Sequence, residues 1–174
     1  MELKRQFNLL KEFFEREKID YALIGAFALY AYGYTRATCD LDFITRIESQ
    51  NKIITYLESL GFETLQKSEG YSNHQPPVGF AGIDLVYVGG ETAKIIFKAV
   101  RQLLMFENLN LPVVSPEHLI ALKLFAIKNE PKRKFKELAD IKEVLQHTPL
   151  DKEVIRDYFK KYRLEAYYDE VVEE

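Results

Sequence analysis

The chain has 174 residues, 47% of them hydrophobic and 13% aromatic, and a formal net charge of −3. That is ample for one packed domain, or one domain with a helical extension, and it excludes wholesale disorder. The near-balanced charge gives no global argument for nucleic-acid binding, and the single cysteine, Cys39, excludes an intramolecular disulfide or a multi-cysteine zinc site.

From Leu3 to Lys18 the residues Phe7, Leu10, Phe13 and Phe14 recur at helical spacing between charges, which predicts an amphipathic first helix. This charged start lacks the apolar stretch of a secretory leader, and no run approaches the ~18 apolar residues of a membrane span, so the expected location is the cytoplasm, away from any membrane. Tyr21 to Ile24 is a short apolar run ending at Gly25, the pattern of a buried strand. Ala26 to Tyr32 is rich in small residues and reads as a helix closed by Gly33. Leu41 to Thr45 follows as a second strand, with Asp40 and Asp42 at its start.

Ser49 is placed to cap a helix running to Leu60, with Ile53, Ile54, Leu57 and Leu60 towards the core and Gly61 ending it. Phe62 to Gln66 has the look of a strand. Glu69 to Pro77 is polar, holds Asn73, His74 and a Pro-Pro pair, and reads as a loop. Gly82 to Val88 is a strand bounded by Gly89-Gly90, Thr92 to Ala99 a helix, and Gln102–Phe106 and Leu111–Val114 two short strands. Ser115-Pro116-Glu117 is a helix start, with serine at the N-cap and proline at the first helical position. The helix it opens, to Lys128, is apolar on nearly every side and is expected to be buried. Pro131 opens a further helix to about His147, and Pro149 to Asp151 begin a last helical stretch that ends in an acidic tail. Helices and strands alternate through residues 1–114, and 115–174 read as a helical part packed on that core.

Asp40 and Asp42 lie two residues apart and so share one face of their strand, about 7 Å from each other. Two carboxylates held that way in an apolar strand call for a positive partner, and hard oxygen donors suit Mg²⁺ or Mn²⁺. The alternative is a pair of solvent-facing acids on an edge strand. Asp84 is the only charge in Gly82–Val88 and is costly to bury alone. It is either a strand-end residue bonded to nearby amides or the third member of a carboxylate cluster suited to phosphoryl transfer, as metal ligand or base. Gly25, between a strand and a helix, leaves bare backbone amides where an anion can sit. Arg36 is a candidate phosphate contact, a structural partner of Asp40, or a surface arginine. Lys123 falls among Leu119, Leu122, Ala126 and Ile127, where an ammonium needs a phosphate, an ion pair with Asp140, or an escape to water. The basic run Lys132, Arg133, Lys134 and Lys136 reads first as a solvated helix start and second as a contact for RNA. Cys39 is expected to be a buried neighbour of the acids, and His74, His118 and His147 show no ligand spacing.

Together these residues resemble the nucleotidyltransferase superfamily, whose signature is a glycine and a small residue, a helix, two acids on a strand and a third acid on a later strand. Within it the chain is most similar to the AbiEii-type abortive-infection toxin nucleotidyltransferases. Ser115-Pro116-Glu117-His118-Leu119-Ile120-Ala121-Leu122-Lys123 looks like the segment that carries their helical lysine, and Lys136-Glu137-Leu138-Ala139-Asp140-Ile141 like their lysine-acid-x-x-aspartate helix. The likeness spans roughly Tyr21 to Leu145. It implies an α/β (α+β) fold, a mixed sheet flanked by helices with a helical C-terminal part. It implies that Gly25 and Ala26 receive the triphosphate of an NTP, that Asp40, Asp42 and Asp84 bind Mg²⁺ with Asp84 as a candidate base, and that Lys123 and Asp140 line the far wall of the nucleotide site. Ala26 stands where the family commonly has serine or glycine, and Glu137 where it commonly has aspartate.

The resemblance implies an enzyme that moves a nucleoside monophosphate from an NTP to a hydroxyl of RNA, protein or a small molecule, and a possible antitoxin partner. The alternative, which Ala26 favours, is a nucleotide-binding or partner-binding module of the same fold without turnover. A glycosyltransferase reading of Asp40-Leu41-Asp42 ranks last, because too little chain precedes the motif for a nucleotide-sugar half.

Overall fold

The computed structural model describes residues 3–106 and 108–172. They form two compact units, one made of the residues up to Ala31 with Arg36–Val114, the other of Tyr32–Thr35 with the residues from Ser115 onward.

In the first unit, helix α1 (Leu3–Arg16) buries Gln6, Phe7, Leu10, Phe13 and Phe14, the stripe its spacing announces. Strand β1 (Tyr21–Leu23) is buried throughout and passes at once into α2 (Gly25–Ala31). There follow β2 (Asp40–Arg46), α3 (Gln50–Ser59), β3 (Glu63–Lys67), β4 (Tyr71–Gln75), β5 (Gly82–Val88), α4 (Gly90–Lys98), β6 (Arg101–Met105) and β7 (Leu109–Val113). The strands make one seven-stranded sheet in the order β3-β4-β5-β2-β1-β7-β6. It is mixed: β2 runs parallel to β5 and β1 to β7, while the other neighbours are antiparallel.

The pleat sorts the central strands into two faces. Leu41, Phe43 and Thr45 of β2 and Ile83, Leu85 and Tyr87 of β5 are all buried. The rings of Phe7 and Phe14 on α1 pack against Phe43, with centroids 6.2 and 5.7 Å away. The alternate residues Asp40, Asp42 and Asp84 are only half-buried, so the acids occupy the less covered face.

The second unit is helical: α5 (Pro116–Asn129), α6 (Lys134–His147), α7 (Lys152–Tyr162) and the short α8 (Tyr168–Val172). Ser115 caps α5 as its sequence indicates, its Oγ accepting from the His118 amide at 3.3 Å. Asp151 does the same for α7, its Oδ1 accepting from the Glu153 amide at 2.9 Å. α7 ends at Arg163 in the left-handed conformation.

Several expectations need correction. Glu69–Pro77 is not a loop, since β4 occupies Tyr71–Gln75 and pairs with β3 on one side and β5 on the other. Its buried residues are Ser72 and His74, which satisfy each other and Tyr87, so the strand carries no apolar periodicity to read. Ser49 does not cap α3 with its side chain; a 3₁₀ turn at Ile47–Ser49 leads into the helix and leaves Ser49 in helical φ/ψ, whereas a capping side chain needs an extended backbone. Pro131 opens a 3₁₀ turn at Pro131–Arg133 rather than α6 itself. α5 is not covered all round, because Phe125 is 49% exposed. Cys39 is exposed, in the segment before β2. The acidic tail ends in Glu173 and Glu174, which lie outside the described residues.

Candidate active site

The parallel register of β2 and β5 sets Asp42 opposite Asp84 and Asp40 opposite Gly82. Neighbouring strands lie about 4.8 Å apart, so the Asp42 and Asp84 side chains stand next to each other on one face. Asp40 is one pleat earlier on that face. Burial pushes its carboxyl above the usual carboxylate range, and the charge of Asp84 adds to the effect.

Two glycines make room for these carboxylates. Gly25 sits at φ +61°, and a Cβ there would overlap the carboxylate of Asp42. A Cβ on Gly82 would overlap Oδ1 of Asp40. Asp42 is tied to the β1–α2 turn through its main chain as well, its carbonyl accepting from the Ile24 amide at 3.0 Å. Ala26 is buried, so any contact it makes with a ligand comes through its backbone amide. On the other side, Gln6 of α1 grips the peptide of Ala81, donating to its carbonyl at 2.9 Å and accepting from its amide at 2.8 Å. This fixes the residue immediately before Gly82. Arg36 is half-buried, and its guanidinium donates to the Ala37 carbonyl at 3.4 Å.

Strand β4 adds two side chains. Asn73 lies opposite Asp84 and donates from its amide to Asp84 Oδ1. Tyr71 lies opposite Val86, on the same face as Asn73, and its phenol is close enough to Asp84 and Asn73 for both to influence its titration. Burial, together with the charges of Asp84 and Asp42, pushes the Tyr71 phenol up to about 12. The polar row across the sheet thus runs from Asp42 through Asp84 to Asn73, with Tyr71 reaching in from the next pleat.

Among the described residues no three His, Cys, Asp or Glu side chains converge into a preformed metal cage. What β2 and β5 present is an open pair, Asp42 and Asp84, with Asp40 beside it. That donor set fits Mg²⁺ or Mn²⁺, which bind through one or two carboxylates plus substrate phosphates and keep several waters.

Lys123 and Asp140 belong to the helical unit. Lys123 is 6% exposed at its side chain and donates to Glu137 at 2.9 Å and to Asp140 at 2.5 Å. Arg133 holds the other oxygen of Glu137 at 2.6 Å. Burial raises the Glu137 carboxyl, but Lys123 and Arg133 outweigh it and hold the group below its ordinary value. Lys123 therefore does not snorkel to water. It would have to loosen one carboxylate to meet a phosphate. Of the basic run, Arg133 is bound to Glu137 and Lys134 lies over the rings of Phe135 and Tyr167, at 4.8 and 4.7 Å.

Gln6, Tyr71, Asn73 and Gly82 are the site residues that sequence reasoning does not single out. The i, i+2 spacing of Tyr71 and Asn73 is their one local signal, since it puts both on one face once β4 is known to be a strand.

The family model described as "Nucleotidyl transferase AbiEii toxin, Type IV TA system" matches residues 8–173. No curated protein matches the sequence. Among solved structures, the crystal structure of ANT(2″)-Ia in complex with adenylyl-2″-tobramycin superposes with a TM-score of 0.68 at 14% identity, covering 91% of this chain and 97% of that one. The lincosamide antibiotic adenylyltransferase LnuA, lincomycin-bound, gives 0.57 at 15% identity over 84% and 98%. An antigenic nucleotidyltransferase-like protein from Paracoccidioides brasiliensis gives 0.57 at 15% identity over 98% and 93%. At these identities the likeness is one of fold, and the fold is that of the nucleotidyltransferases.

Proposed function

The chain belongs to the AbiEii family of toxin nucleotidyl transferases of type IV toxin–antitoxin systems, and we propose that it transfers a nucleoside monophosphate from an NTP to an acceptor hydroxyl. Family membership makes it a nucleotidyltransferase enzyme. The observation that carries the finer reading is the register of Asp42 against Asp84, with Gly25 beneath Asp42 and Asn73 beside Asp84.

Asp40, Asp42 and Asp84 would hold Mg²⁺ or Mn²⁺, which neutralises the phosphates when bound. The backbone amides of Gly25 and Ala26 would receive the triphosphate at the end of β1, with Arg36 as a further phosphate contact. Asp84, on the opposite side of Asp42, would take the proton of the attacking hydroxyl. The Asn73 amide supports that role, because its bond to Oδ1 holds the Asp84 carboxylate in one orientation. Lys123 and Asp140 would act on the nucleotide only by giving up part of their mutual pairing.

The acceptor class follows from the family setting. A toxin acts on a cellular macromolecule, which favours RNA or a protein side chain, with an antitoxin protein as regulatory partner. The tobramycin and lincomycin of the two structural neighbours keep a small molecule within the reading. Transfer is to be tested with α-labelled NTPs and Mg²⁺, offered total RNA, cellular protein and aminoglycosides in separate reactions. Label is expected on one acceptor, and Asp42→Asn should lower its rate by about 10²- to 10⁴-fold. Calorimetric binding of Mg²⁺–NTP with no transfer to any acceptor would instead establish a binding module, the outcome to which Ala26 inclines.

A further inference from the structure

Asp84 has two protein partners on its β4 side, and one of them carries a hydroxyl. Across the sheet the order is Gly25 at the end of β1, Asp42 on β2, Asp84 on β5, then Asn73 and Tyr71 on β4. Displacement at phosphorus sets the attacking and leaving oxygens roughly in line, on opposite sides of the atom. If the triphosphate extends towards Gly25, the attacking hydroxyl approaches from the side of Asp84 and β4. Tyr71 stands on that side, two residues from Asn73 on the same face of β4 and diagonal to Asp84 across the β4–β5 register.

Other hydroxyls near the acids are spoken for. Ser72 faces the opposite side of the sheet, fully buried, with its Oγ 2.8 Å from His74 Nε2 and 2.7 Å from the Tyr87 hydroxyl. Thr38 is occupied with the backbone of Asp40. Tyr71 is half-buried on the acid face, and its position in β4, hydrogen-bonded to β5, removes the freedom that would otherwise separate nucleophile from base.

Resting on the transfer reading above, we propose that Tyr71 is itself a nucleotidylation site, and that the chain modifies its own Tyr71 hydroxyl when no outside acceptor is present. In this step a bond forms between Tyr71 Oη and the α-phosphorus of an NTP. The bond from the α-phosphorus to the oxygen bridging the β-phosphate breaks, pyrophosphate leaves, and the phenolic proton passes to Asp84. The product is a phosphodiester-linked tyrosyl nucleotide on the acceptor side of the site. It stands where an outside hydroxyl would approach, so each modified chain is switched off after one event.

The full chain should be incubated with ATP, GTP, CTP or UTP and Mg²⁺ or Mn²⁺, without added acceptor, and analysed by intact-mass and peptide mass spectrometry. A parallel arm contains labelled NTP with total RNA and cellular protein. The expected result is one nucleoside monophosphate per chain on the peptide containing Tyr71, absent from Tyr71→Phe and from Asp84→Asn, with wild-type melting behaviour in both. If a variant fails to fold, mapping of the adduct on the wild-type chain decides. An adduct on another residue, or one that persists in folded Tyr71→Phe, overturns the proposal. Transfer to RNA or protein in the parallel arm, with Tyr71 left unmodified in the acceptor-free arm, also overturns it and leaves the transfer reading intact. Silence in both arms refutes the transfer reading, and this proposal with it.

Discussion

Gly25 and Gly82 do different work for the same carboxylates. Gly25 has φ +61°, a conformation that costs an L-residue about 1–2 kcal/mol, and its missing Cβ is where Asp42 lies. Gly82 gives up its side chain only to make room for Asp40. Gly25→Ala is therefore expected to destabilise the chain by about 1–3 kcal/mol and to push Asp42 out of line with Asp84. Thermal melting and Mg²⁺–NTP calorimetry would check this: a lower Tm with weakened binding is expected, and an alanine variant that binds as the wild type does would show that the close approach is incidental. Gly25 was legible in the sequence because it ends an apolar run and precedes a helix. Gly82 was not, because its requirement comes from Asp40 on another strand, and only the β2–β5 register brings the two together. The paired spacing of Asp40 and Asp42 and the lone charge of Asp84 were readable, whereas Asn73 and Tyr71 became meaningful only as the partners of Asp84.

At the level of elements, β4 works on both faces. Towards the acids it presents Tyr71 and Asn73; on the buried side His74 is held between Ser72 and Thr64, and Thr64 donates to Glu58 at 2.9 Å. Burial holds the His74 imidazole below its ordinary value of 6.5, although Glu58 and Asp84 pull the other way. His118 of α5 is shifted in the same direction, again by burial first. Both are kept neutral in the fold, so the unfolded chain binds more protons than the native one below its own titration point. The stability they contribute is whole above about pH 6.5 and declines as pH falls from there towards their folded values. Denaturant midpoints measured from pH 8 to pH 5 should fall below about pH 6.5 in the wild type and less steeply in His74→Gln; parallel curves would contradict this. The α5–α6 pairing rests on Lys123. Lys123→Met would leave Glu137 with Arg133 alone and Asp140 without its lysine, in surroundings where both carboxylates are under 5% exposed. A loss of about 3–5 kcal/mol is expected, recovered in part by adding Asp140→Asn. An unchanged Tm in Lys123→Met would show that the cluster is not an anchor of the helices. Sequence pattern found Lys123 because a cation stood in an apolar stripe, and it missed β4 because nothing apolar marked that strand.

At the scale of the whole chain, each level of the fold was readable to the extent that hydrophobic pattern encoded it. α1, β2 and β5 carry a clear apolar pattern and α5 a long apolar run, and all four came through with their ends within two residues of those expected. The strand order did not, because the parallel β2–β5 and β1–β7 pairings join segments distant in sequence and leave no local trace. That order gives the catalytic reading its direction: phosphates at Gly25, carboxylates at Asp42 and Asp84, acceptor beyond Asp84. The most direct test of this arrangement is a crystal of the full chain soaked with Mn²⁺ and a non-hydrolysable NTP, with the manganese located by anomalous scattering. Manganese is expected on the carboxylates of Asp42 and Asp84, with the triphosphate on the backbone amides of Gly25 and Ala26. Nucleotide bound away from Gly25, or manganese elsewhere with Asp42 and Asp84 bare, would contradict the account.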